Sequence, residues 1–94
     1  MGRRKRWTVD LSVVDPTWAD WDVPVVLKIN SYRRELIENP AQALAYLANR
    51  WPLKRGADAD AAMHICSLVL RRKATKETSR LAFVEAAIQA GILG

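Results

Sequence analysis

One cysteine and one histidine in 94 residues leave little material for redox or metal chemistry. A lone Cys66 excludes an intramolecular disulfide and a cysteine-based metal cluster, a usage that suits a reducing compartment. No apolar run approaches the roughly 20 residues that cross a bilayer. The basic start at Arg3–Arg6 is not followed by the apolar stretch of a signal peptide, so a cytoplasmic location without membrane contact is expected. Position 6, where N-myristoylation wants Ser or Thr, holds Arg6. The chain also lacks a Gly-rich phosphate cradle and a nucleophile elbow. Asp15, Asp20 and Asp22 lie close in sequence but lack the ligand ladder and glycine of a calcium loop, and read as solvated turn residues. The expectation is a protein with no cofactor, no metal and no catalytic residue, hence not an enzyme.

What is present is an ordinary globular balance, 50% hydrophobic and 27% charged, in a chain long enough for one core. The net charge of +5 is weaker than it looks. Four basic residues at Arg3–Arg6 are matched by four aspartates at positions 10, 15, 20 and 22, and the rest of the chain holds eleven basic against six acidic residues. Such a mild excess does not decide the class of partner. The organisation read from this is a basic arm over residues 1–6 and a single domain over 7–94.

Trp7, Val9, Leu11 and Val13 alternate with Thr8, Asp10 and Ser12, the period of a strand with one buried face. Asp15-Pro16 ends that run, and a Trp- and Asp-rich connection leads to Pro24. Val25, Leu27 and Ile29 alternate again, the stretch from Asn30 to Arg34 is turn-like, and Glu35–Glu38 returns as the second arm of a hairpin. Asn39-Pro40-Ala41-Gln42 then carries an N-cap, a proline suited to the first helical position and a capping-box side chain. A helix is predicted from there to Pro52, with Ala43, Leu44, Leu47, Ala48 and Trp51 on its inner face. A second helix is predicted from an Asp58 N-cap to about Arg72, with Ala62, Ile65, Cys66, Val69 and Leu70 inward. Arg71, Arg72 and Lys73 fall at its end, where cations suit the helix dipole. A third helix runs from a Thr75 cap to Gly91. Strands first and helices last predict an α+β fold, a small antiparallel sheet of two to three strands with three helices packed on one face.

The third helix is apolar on two sides. Ser79, Phe83, Ala86, Ala87 and Ala90 cluster on one face, and Leu81, Val84 and Ile88 lie roughly opposite. One face meets the core. The other is expected to be covered by the N-terminal strand or by a second copy of the chain.

The residues Val23-Pro24-Val25-Val26, Arg50-Trp51-Pro52 and Ser79-Arg80 with Ala82-Phe83, together with the run from Ala86 to Ile92, resemble a bacterial domain-of-unknown-function family of short stand-alone proteins. The resemblance covers about residues 21–92. It implies a hairpin with three helices, and no established activity or cofactor. The family favours Gly near position 72, where this chain has Arg72.

His64 and Cys66 sit about 200° apart around a helix, so they do not form a nucleophile and base pair; a buried thiol and a surface histidine are the expected states. Arg80 can hold an anion near a helix start, but an intramolecular pair with Glu38, Asp58 or Asp60 is the preferred reading. The leading function is a non-enzymatic protein-interaction or regulatory module that self-associates through Leu81, Val84 and Ile88, as a homodimer or with an unknown protein partner. A nucleic-acid-binding accessory protein is the alternative, using Arg3, Arg4, Lys5 and Arg6 with Trp7, and Arg71, Arg72 and Lys73 with Lys76. Ligand binding near Trp18, Trp21 and Asp22 is the third and least supported.

Overall fold

A computed structural model describes residues 18–52 and 55–94. The basic arm and the strand predicted over Trp7–Val13 lie outside the described residues. The element order is β1 (Val25–Lys28), β2 (Arg34–Ile37), α1 (Pro40–Asn49), α2 (Ala57–Leu70) and α3 (Lys76–Ala90), the α+β arrangement expected.

The hairpin pairs Val25 with Ile37, Val26 with Leu36, Leu27 with Glu35 and Lys28 with Arg34. Its turn is closed by the Asn30 side chain, which accepts from the backbone N–H groups of Tyr32 and Arg33 at 2.7 and 2.9 Å. Val25 and Leu27 point into the core. The other edge of β1 is occupied by the C-terminal residues: Lys28 N–H donates to the Ile92 carbonyl, Gly94 N–H donates to the Val26 carbonyl, and Leu93 bridges Leu27. Nothing local in the sequence announces this pairing, because residues 92–94 reach it only through the packing of α3.

Asn39 caps α1 by accepting from Gln42 N–H at 2.8 Å, while the Gln42 side-chain oxygen accepts from Glu38 N–H at 2.8 Å. Ala43, Tyr46 and Leu47 are buried, Leu44 is half-buried and Ala48 is exposed. Ala48 is therefore not on the inner face as predicted; the broad Tyr46 ring takes its share. Trp51, just past the helix, meets Tyr46 and Phe83 edge-on at 6.2 and 6.0 Å.

α2 is capped by Gly56 rather than Asp58. Asp58 and Asp60 lie in its first turn, where a carboxylate favours the positive helix end without serving as the cap. Ala59, Ala62, Cys66 and Val69 form its buried stripe, Ile65 is half-buried, and Leu70 is exposed because the helix ends there. α3 is capped by Thr75 and closed by Gly91 at φ 72°, whose following residue Ile92 donates back to the Ala87 carbonyl. α2 packs along both α1 and α3, and small residues at Ala59, Ala62, Ala86 and Ala87 let the helices approach. Phe83, Leu27 and Leu47 fill the centre.

Candidate functional site

Cys66 is wholly buried, and burial alone pushes its thiol up to about 12. A thiol so protonated is a core side chain and a poor nucleophile at neutral pH. His64 is exposed two positions away. Among the described residues no group of three or more His, Cys, Asp or Glu side chains could hold a metal ion.

The tryptophan-rich connection is committed to structure. Trp21 is buried against Phe83 at 5.7 Å, and its indole N–H donates to Ser79 Oγ at 3.0 Å. That hydroxyl in turn donates to the Lys76 carbonyl at 2.6 Å, so both polar groups of the pair are satisfied. Asp20 accepts from Asn39 and Asp22 pairs with Lys76 at 3.3 Å, whereas Asp15 lies outside the described residues. Trp18 and Asp20 line a shallow depression beside Pro40 and Leu70; Trp21 and Asp22 do not line it.

The basic cluster is divided in the same way. Arg71, Arg72 and Lys73 are exposed in the turn after α2. Arg72 adopts φ 60° and lays its guanidinium over the Trp18 ring at 4.1 Å from the centroid. The left-handed backbone at this position is the conformation glycine adopts without strain. Arg3, Arg4, Lys5 and Arg6 lie outside the described residues.

Arg80 does not reach Glu38, Asp58 or Asp60. Its guanidinium instead grips Glu77 one turn earlier on α3, with Nε–Oε1 and Nη2–Oε2 distances of 3.0 and 2.9 Å. The hydrogen bond from Arg80 is the main reason the Glu77 carboxyl lies below the usual carboxylate range. The predicted long-range clasp is replaced by a local one because positions three apart already share a helix face.

The outward side of α3 is the most distinctive surface. Leu81 is 55% exposed and Ile88 is 50% exposed. Val84 between them is half-buried and packs against the core, so it is not an equal member of the stripe. With Arg80 it lines a shallow groove against Pro24, Val26, Leu93 and Gly94. The exposed Leu93 and Val26 thus extend the apolar surface from helix to sheet. Val26 was visible in the sequence as the outward member of an alternating strand, whereas Leu93 had no local signal.

A second groove separates β2 from α1. Arg50 and Glu35 join across it through a two-pronged hydrogen bond, Nη2 to Oε1 being 2.8 Å, and the same guanidinium covers the Tyr46 ring at 4.7 Å. The sequence reading missed this pair, since its partners lie fifteen residues apart on different elements.

Among the described residues no helix is long and apolar enough to cross a membrane. No curated protein and no solved structure matches the chain. Residues 23–94, spanning the hairpin, the three helices and the C-terminal bridge, match the family described as "Protein of unknown function (DUF982)", and the chain belongs to that family.

Proposed function

We propose that this chain is a non-enzymatic protein-interaction module that associates with a second copy of itself through the outward side of α3. The observation that carries the reading is the exposure of Leu81 and Ile88 on either side of Val84, which shares a groove with the exposed Leu93 and Val26. Contiguous apolar surface left in water is costly and marks a contact site. Leu81 and Ile88 are seven residues apart, two helical turns, so a two-fold axis near Val84 lays Leu81 of one copy against Ile88 of the other. The arrangement is self-complementary, which favours a second copy as the occupant. The nucleic-acid reading ranks behind it because two of the cations it needs are already engaged, Arg72 on Trp18 and Lys76 on Asp22.

Sedimentation at tens of micromolar is the direct test. A dimer is expected for the native chain and a monomer for the variant carrying Leu81→Asp and Ile88→Asp, with helical content unchanged because both side chains are already half in solvent. A native chain that stays monomeric, or a variant that still dimerises, overturns the reading.

A further inference from the structure

The hairpin alternates its backbone groups. Ile29 N–H donates to the Arg33 carbonyl, and the register puts Leu27 with Glu35 and Val25 with Ile37 in that same bonded phase. On β1 the opposite phase is taken up at the far edge, where Lys28 and Val26 bond to Ile92 and Gly94. On β2 the opposite phase belongs to Arg34, Leu36 and Glu38. Glu38 is engaged: its N–H donates to the Gln42 side chain and its carbonyl accepts from Trp21 N–H. Among the described residues nothing pairs with the N–H and C=O groups of Arg34 and Leu36. An open strand edge is a template for one more strand.

The surroundings of this edge specify what that strand carries. Glu35 and Ile37 share the face of Val25 and Leu27, and on that side the edge borders the groove against α1, where Ala45 and Tyr46 add apolar surface. Arg34 and Leu36 share the exposed face with Lys28 and Val26. Charge is unevenly spread along the edge. At the turn end stand Lys28, Arg33, Arg34 and Arg50 with one carboxylate, Glu35, which is committed to Arg50. Among the described residues Lys28, Arg33 and Arg34 form no ion pair. At the other end stand Glu38 and, bonded to Asn39, Asp20. A strand laid here is favoured with carboxylates at the turn end and with none at the Glu38 end.

We propose that the outer edge of β2 takes up one extended segment of a partner protein, apolar where it passes Ile37 and Leu36 and acidic where it passes Arg34 and Arg33. The segment runs antiparallel, as β1 does with β2 and with Leu93. Its carboxylates therefore lie at its C-terminal end. The segment residues opposite Leu36 and Arg34 turn their N–H and C=O groups to the edge, while the residue opposite Ile37 drops its side chain into the groove beside Tyr46. Nucleic acid has no row of alternating backbone donors and acceptors to match such an edge. A second copy of β2, paired through Arg34 and Leu36, sets Glu35 opposite Glu35, a like-charge contact that disfavours it. The edge is separate from the α3 contact, and its occupancy does not depend on that contact.

The test titrates the acetylated, amidated peptide Lys-Val-Val-Thr-Glu-Asp into the full chain, up to about 1 mM, with backbone amide NMR as the readout. Its second valine is to face Leu36 and its glutamate Arg34. Saturable shifts are expected at the Arg34 and Leu36 amides, with slowed hydrogen exchange at both. The same peptide N-methylated at the second valine and the glutamate keeps every side chain but loses the donors that face the edge, and is expected to bind about 10-fold more weakly. The charge-exchanged peptide Glu-Val-Val-Thr-Lys-Lys is expected to lose about 5-fold, as is the first peptide on the variant carrying Arg33→Gln and Arg34→Gln. Absence of shifts at β2 overturns the proposal, as does an N-methylated or charge-exchanged peptide that binds as tightly as the first. Arg34 and Leu36 amides already protected before peptide is added show the edge to be filled, by a second copy if the protection rises with protein concentration, and overturn it equally. A single-stranded oligothymidylate that displaces the peptide from these amides assigns the cations to nucleic acid and overturns it too. Should the double glutamine variant fail to fold, the peptide series on the native chain decides.

Discussion

Cys66 shows how one buried atom couples stability to pH. In the unfolded chain its thiol ionises near 9.0, whereas burial in the fold pushes it up to about 12. Between those values the folded protein keeps a proton that the unfolded chain has released. The unfolded state is therefore favoured progressively as pH rises above about 9, and the stability held below that pH is lost toward 12. Chemical denaturation from pH 8 to 10.5 is expected to show a steeper fall for the native chain than for Cys66→Ala, which removes the titrating group. Parallel curves would remove the thiol from the account. The pairing of Trp21 with Ser79 belongs to the same scale. An indole N–H and a hydroxyl, 58 positions apart in the chain, satisfy each other within the core, which neither residue type reveals in the sequence.

At the scale of the element, what could be read in advance were the features that act over three or four residues. Asn39, Pro40 and Gln42 announce the start of α1, and Thr75 and Gly91 bound α3, because caps are local chemistry. Asp58 is not the cap its type suggests, because an aspartate serves the first turn as well as the cap position, while Gly56 leaves no side-chain signature. The partner of Arg80 is Glu77, three residues before it, rather than an acid on another element. The cap of α1 also ties down the incoming chain, since Asn39 accepts from Gln42 N–H and donates to Asp20. Asn39→Ala is accordingly expected to cost about 1–2 kcal/mol, the upper part of the range for a lost N-cap. Urea denaturation checks this, and a loss below about 0.5 kcal/mol would show that the cap does not organise this junction.

For the whole molecule, the fold class followed from the order of periodicities, strands before helices. The closure of the sheet by residues 92–94 did not, because it depends on where the end of α3 is delivered. That closure separates two surfaces. The apolar side of α3 borders residues 92–94 and β1, whereas the outer edge of β2 lies across the sheet beside α1. Sites with no shared partner contribute independently. Leu81→Asp with Ile88→Asp should abolish the dimer and leave the Arg50–Glu35 pair, and the Tyr46 ring signals beneath the Arg50 guanidinium, unchanged. Glu35→Gln should do the reverse, releasing Arg50 from the groove between β2 and α1 while the sedimentation coefficient stays that of a dimer. Loss of the dimer on Glu35→Gln, with helical content unchanged, would mean instead that the groove beside α1 belongs to the contact, and that one surface has been counted twice.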